Sequence, residues 1–297
     1  MKQGIWVQVR SENDILKTLD QTGCCDGLPF MPEMLPFCGR RFRIARIANK
    51  TCVNVADVYI GSLDQCVVLQ MQDRCNGSSH GNCQMGCKFF WKTEWLEIVD
   101  GPDDSAEGPD VDEQTKNKLT SLAAIGENRY RCQATQLEHV STRTSISQLG
   151  QYVQDYRSGV RVSSMAKFFT NLAIRKILRK ADSIEGRCSG RTPVSDLQLA
   201  VGDSVEVKTI EEIELTLDKN GCNRGLWFDP AEMKPFCGKT MTVSRVVNRL
   251  IDEQTGELKK LPVPCVVLSE TECSGVFRRF CSRGMLNFWR EVWLKRT

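Results

Sequence analysis

In the stretch RCNGSSHGNCQMGCKFFW, four side chains of metal-ligand type, Cys75, His80, Cys83 and Cys87, are separated by four, two and three residues. Zinc takes four tetrahedral nitrogen or sulfur ligands, and three cysteines with one histidine describe a closed structural site that keeps no position open for a substrate. Gly77, Gly81 and Gly86 divide the stretch into short turns that let the backbone fold around one ion. His80 is one of two histidines in the 297 residues, and it falls among three cysteines. The competing reading is a set of buried thiols beside a surface histidine, since free cysteine packs as a small apolar side chain. Thiolates and one imidazole suit both zinc and an iron–sulfur cluster. Zinc is favoured, because a cluster usually comes with recognisable redox motifs and the sequence carries none.

The elements that must position these residues occur twice. TLDQTGCCDGLPF at 18–30 matches TLDKNGCNRGLWF at 216–228, and MLPFCG at 34–39 matches MKPFCG at 233–238. CVVL recurs at Cys66 and Cys265, and CQMGCKFFWKTEWLEI at 83–98 aligns with CSRGMLNFWREVWLKR at 281–296. Similar blocks in one order at a nearly constant offset indicate a duplicated domain. In each copy a short strand (Trp6 to Val9, Ser204 to Val207) precedes a capping pattern, Ser11-x-x-Asp14 or Thr209-x-x-Glu212, that opens a short helix ending near Gly23 or Gly221. RRFRIARI and KTMTVSRVV alternate apolar and polar residues, the CVVL segments are β-branched, and Trp95-Leu96 and Trp293-Leu294 sit in short closing segments.

The expected fold is therefore mainly β with a helical insert: two related small SH3-like β-barrel domains, joined by an acidic linker and a helical segment. The first, metal-binding repeat spans 1–100, the acidic linker 101–120, the helical connecting segment 121–200, and the second, partly degenerate repeat 201–297. A compact α+β sandwich is the alternative. The linker sequence GPDDSAEGPDVDEQTKN is too polar to bury a core and is expected to be mobile. Two helices are expected after it, one from Ser147 to Arg157. The other runs from near Ser163, with Met165, Phe168, Phe169 and Leu172 on one face and Arg175, Lys176, Arg179 and Lys180 near its end.

The second copy is an internal control on the metal reading. Its residues at the positions of Cys75, His80, Cys83 and Cys87 are Cys273, Arg278, Cys281 and Met285. A guanidinium does not ligate a cation and a thioether binds zinc poorly, so this copy cannot make the same site alone. A second site would need Cys273 and Cys281 to recruit an outside donor, best Cys132 in YRCQAT, with Cys188, His139 and Cys237 behind it. Unligated core cysteines are the favoured alternative, and Cys66 and Cys265 read as core in either case.

The net charge is +3, and the chain has fifteen cysteines. MKQGIWVQVR lacks the apolar run and cleavage site of a secretory signal, which points to the cytoplasm, where cysteine richness indicates metal or redox chemistry before disulfides. No stretch is long and apolar enough for a transmembrane helix. Residues 101–120 hold six acids against Lys116 and Lys118, whereas 121–200 hold twelve basic residues against six acids.

The phrases GLPFMPEMLPFCGRRFRI, RCNGSSHGNCQMGCKFFWKTEWL and NGCNRGLWFDPAEMKPFCGKTMTVSRV resemble an uncharacterised bacterial family of cysteine-rich, tandem-repeat proteins, over nearly the whole chain. Members accompany biosynthetic or polysaccharide gene clusters, so the resemblance implies an accessory role in small-molecule or glycan production and supplies no catalytic residue. Its pattern includes the Cys-Gly-His-Cys-Cys run, YRCQAT and the cysteines matching Cys273 and Cys281, which adds weight to a second site.

The expected function is that of a zinc-binding accessory protein acting as a scaffold for a protein partner. The alternative is an iron–sulfur redox enzyme or electron carrier, with one cluster on the Cys75 set and another involving Cys273, Cys281 and Cys132. Phosphate-binding loops, a G-x-S-x-G elbow and H-E-x-x-H are absent from the sequence, and Cys132 with His139 is the remaining pair for thiol catalysis. Phe89, Phe90, Trp91 and Trp95, and again Phe288, Trp289 and Trp293, could stack on bases beside Lys88, Lys92 and Arg290, but filling a small core is the simpler role, so nucleic acid is not expected as a partner. The basic helix ending at Lys180 could touch an anionic membrane peripherally or dock an acidic partner.

Overall fold

The structure, a computed structural model, describes residues 1–54, 58–102, 111–178 and 184–297. They divide into two compact units. Unit 1 is Met1–Met165 with Leu250–Lys259 and Arg278–Gly284; unit 2 is Ala166–Arg249, Lys260–Phe277 and Met285–Thr297. Strand outweighs helix, 30% against 27%, so the protein is mainly β. Among the described residues no helix is long and apolar enough to cross a membrane.

Unit 1 runs through β1 (Trp6–Val9), α1 (Glu12–Leu16), β2 (Arg41–Ile47), β3 (Lys50–Val53), β4 (Tyr59–Ser62), β5 (Cys66–Leu69), β6 (Trp91–Lys92) and β7 (Leu96–Val99), followed by α2 (Glu113–Ala123), α3 (Gln133–Val140) and α4 (Gly150–Arg157). The main sheet is antiparallel with the order β6-β5-β2-β1-β7, and β3 and β4 form a second sheet with the pair Thr142–Arg143. Alternation in β2 puts Phe42 and Ile44 into the core, beneath Trp91, Trp95, Phe30 and Phe37. The Trp95 ring meets Phe30 edge-on at 5.2 Å, and its Nε1 donates to Thr18 Oγ1 at 3.0 Å.

The expected barrel closure is not found among the described residues. β6 and β7 are the two edges of the main sheet, linked by the 3-10 turn Thr93–Trp95, and the two-residue β6 pairs with β5 alone. Helix α1 is also shorter than expected. It is capped by Ser11, whose hydroxyl accepts from Asp14 N, but it stops at Leu16 because Asp20 turns the chain by accepting from the amides of Thr22 and Cys24.

Of the expected acidic linker, 103–110 lie outside the described residues. Its end is helical, since the Asp112 carboxylate accepts from the Gln114 and Thr115 amides and so starts α2, which buries Leu119 and Ala123. The expected helix over Ser147 to Arg157 is α4.

Unit 2 contains β8 (Ser204–Val207), α6 (Ile210–Glu214), most of β9 (Thr240–Ile251) and β10 (Leu258–Glu272), then β11 (Leu286–Trp289) and β12 (Leu294–Arg296), in the order β11-β10-β9-β8-β12. α5 (Val162–Leu178) leads into it and buries Phe168; Arg179 and Lys180 lie outside the described residues. The packing pattern of unit 1 recurs here. Trp293 Nε1 donates to Thr216 Oγ1 at 2.9 Å, and Phe228 meets the Trp293 ring edge-on at 5.5 Å.

Candidate metal centre

The ligand-bearing loop leaves β5 and returns to β6. Its base is closed where Cys75 N donates to Cys87 O at 2.9 Å, and His80 N and Asn82 N both donate to Gly77 O. Gly77 is required there: its φ is +73°, and a Cβ would lie 2.2 Å from the Cys83 carbonyl oxygen. The loop thus brings Cys75, His80, Cys83 and Cys87 to the wall of one cavity of about 30 Å3, with Met31 and Phe89 as apolar lining.

A fifth donor faces the same cavity. Cys132 stands at the N-terminus of α3, which Gln133 fixes by donating from Nε2 to the Pro29 and Phe90 carbonyls and accepting from Phe90 N at Oε1. Four of the five donors are buried and Cys87 is half-buried.

The Cys75 Sγ and His80 Nε2 atoms are 3.6 Å apart. Zinc–sulfur and zinc–nitrogen bonds of about 2.3 and 2.0–2.1 Å at a tetrahedral angle would place two ligand atoms about 3.6 Å apart, a separation that this hydrogen-bonded pair matches. On the other side of the ring, His80 Nδ1 lies 3.0 Å from Ser79 Oγ and 3.4 Å from Glu33 Oε1, and Ser79 donates to Glu33 from its amide and hydroxyl. With Nδ1–H donating to Ser79 and the hydroxyl to Glu33, the network assigns the Nε2 lone pair to the Cys75 side. A carboxylate behind a histidine in this way fixes its tautomer and raises its basicity as a ligand. Burial pushes the Glu33 carboxyl up, but the hydrogen bonds it accepts on the His80 and Ser79 side outweigh it and hold the group down to about 2. Glu33, Cys75 and His80 offer atoms all within 4.8 Å of one another, the one such group among the described residues; Cys83, Cys87 and Cys132 line the cavity without joining it.

Burial pushes the thiols up, Cys75 well above its ordinary value, Cys87 to about 11 and Cys132 to about 12. Left alone, these thiols stay protonated at neutral pH; a bound divalent cation displaces the protons. A positive group stands by to offset thiolate charge, since the buried Arg283 guanidinium hydrogen-bonds Cys87 and is held by Glu253.

No family model, curated protein or solved structure matches this chain. The site is therefore read from its own geometry.

Of the other candidate ligands, Cys281 lies in unit 1 beside Cys52 and does not line the cavity, whereas Cys273 belongs to unit 2. Cys188 and Cys237 are half-buried members of unit 2. His139 is exposed near the end of α3, about 10 Å along the helix from Cys132, and the Cys132 thiol is raised, so the pair is not an activated nucleophile and base. Cys66 and Cys265 are core residues, as expected. Phe89, Phe90, Trp91, Trp95, Trp289 and Trp293 are buried in the cores, not arrayed for stacking on bases. Sequence reasoning missed Glu33. Its only signal was an acid among the apolar residues of FMPEMLPF, where a buried carboxylate demands a partner.

Proposed function

We propose that the protein binds one zinc ion through Cys75, His80, Cys83 and Cys87, with Cys132 at the margin of the same site, and that the ion is structural. The observation that supports this reading is that five residues with nitrogen or sulfur donors line one small cavity, with Cys75 and His80 at the spacing of two zinc ligands; drawing Cys83 and Cys87 onto the same ion requires their side chains to close in on that pair. A cavity of about 30 Å3 suits a single ion, being only two to three times the roughly 10–15 Å3 that one water needs. An iron–sulfur core, with its several iron and sulfide atoms, is the less favoured occupant.

The ion would tie the loop after β5 to α3 and act through stability, not chemistry. The protein then serves as a cytoplasmic scaffold for a partner in the biosynthetic setting that the family resemblance implies. Strand order supports an SH3-like reading of both repeats: β7-β1-β2-β5-β6 and β12-β8-β9-β10-β11 are the same arrangement, each with a 3-10 turn before its final strand.

Elemental analysis and an absorbance scan of anaerobically purified protein test the reading. About one zinc per chain in a colourless sample is expected, since a structural site of this kind stays nearly full on isolation. Stoichiometric iron with labile sulfide and visible absorbance would replace zinc by a cluster.

A further inference from the structure

A second pair of sulfurs, Cys52 and Cys281, lies apart from the cavity. β3 is an edge strand of its sheet, with Cys52 paired to Ile60 on one side. On the other side the Arg278–Gly284 segment of unit 1 takes the place of a further strand. Ser282 N donates to Lys50 O at 2.9 Å, Arg283 Nη1 donates to Cys52 O at 3.1 Å, and Cys52 N donates to Cys281 Sγ at 3.0 Å. A sulfur thus occupies the position where a sheet would offer a carbonyl oxygen.

Two further contacts make this sulfur unlike a packed core thiol. Arg283 N is directed at Cys281 Sγ from 3.5 Å, and the Cys52 side chain hydrogen-bonds it. Arg279 and Phe280, the two residues before Cys281, have φ of +50° and +66°, a left-handed conformation that costs energy for side chains of this size. The chain accepts that strain while setting Cys281 against β3. The hydrogen bond from the Cys52 side chain leads in lowering the Cys281 thiol, burial opposes it, and with the two amides the thiol is held at about 7, whereas the other strongly shifted thiols of this unit are raised.

We infer that Cys281 and Cys52 are a redox-active thiol pair, in which Cys281 attacks a small hydroperoxide and Cys52 resolves the product into a disulfide. The Cys281 thiolate attacks a peroxide oxygen; an S–O bond forms, the O–O bond breaks, and the departing hydroxide takes the Cys52 proton to become water. The Cys52 thiolate then attacks the sulfur of the Cys281 sulfenic acid, S–S forms as S–O breaks, and the departing hydroxide takes back the proton that Cys281 gave up on ionising and leaves as a second water. Two thiols and one hydrogen peroxide give one disulfide and two waters. The bridge would join residues 229 positions apart and lock the edge of β3 to the Arg278–Gly284 segment. Cys52 and Cys281 are 8% and 2% exposed, so the pair is closed to an oxidant as large as oxidised glutathione, and the class it would take is one close to water in size, hydrogen peroxide. None of this depends on the metal reading.

The test treats full-length protein with a small excess of hydrogen peroxide or with oxidised glutathione, blocks residual thiols by alkylation, and maps peptides by mass spectrometry without reduction. Peroxide should yield a peptide pair linked through Cys52 and Cys281, and glutathione disulfide should not. In Cys52→Ser, Cys281 should accumulate as a sulfenic acid trapped by dimedone, and Cys281→Ser should show neither product. Recovery of Cys52 and Cys281 as alkylated thiols from peroxide-treated wild type, while other cysteines oxidise, would overturn the inference whatever the variants do. Dimedone on Cys52 in place of Cys281 would overturn the assigned roles.

Discussion

Truncating single donors separates the sulfurs of the cavity from those outside it. Cys83→Ala should lose the ion and, with it, much of the stability of unit 1, because apparent zinc-binding free energies in small domains run to roughly 10 kcal/mol or more. Cys281→Ala should keep the ion and cost about 1–3 kcal/mol, because it leaves the Cys52 and Arg283 amides without their sulfur acceptor. Metal content and thermal melts of the two variants decide this, and equal metal loss from both would place Cys281 in a metal site. Glu33→Gln should retain zinc but bind it about 10–100-fold more weakly in chelator competition, because the amide no longer anchors the Ser79 and His80 hydrogen bonds as a charge. That Cys75, His80, Cys83 and Cys87 line one cavity was legible in the sequence because their spacing is local. Glu33 lies 46 residues before Ser79, and Cys132 reaches the cavity through a helix pinned by Gln133; neither approach leaves a mark in residue spacing.

Strands β1, β2 and β8 were legible because each buries one face and so alternates, whereas α2 was hidden by the acidic composition around it and shows itself only through the Asp112 cap. α3 carries little periodic pattern and is held by polar contacts of Gln133. The attachment of β3 to α4 is likewise invisible in the sequence. There the Lys50 ammonium pairs with Asp155 and lies 4.9 Å from the centre of the Tyr152 ring, with both charged side chains buried. Lys50→Met should cost about 3–5 kcal/mol by leaving a buried carboxylate unpaired, and adding Asp155→Leu should recover most of that loss. Urea unfolding of the single and double variants measures both; a double variant no more stable than Lys50→Met would contradict the pairing account.

Across the whole molecule the matching order of the sequence blocks gave no sign of the extent of each compact unit. Unit 1 takes in Leu250–Lys259 and Arg278–Gly284, stretches that the sequence alignment assigns to the second repeat. Many of the fifteen cysteines are core residues, which sets a pH dependence. Burial pushes Cys38 to about 12 and Cys66 to about 11, against about 9 for an unfolded thiol. Folded thiols that hold their protons longer than unfolded ones contribute stability fully below pH 9 and lose it as pH rises toward 12. The melting midpoint of unit 1 should therefore fall through that window, and more shallowly in Cys38→Ala. The central claim is that these buried donors hold one ion, and zinc-edge X-ray absorption of the isolated protein tests it most directly. The account predicts a four-coordinate shell dominated by sulfur at about 2.3 Å, with nitrogen at about 2.0–2.1 Å. A shell of oxygen and nitrogen without sulfur would contradict it.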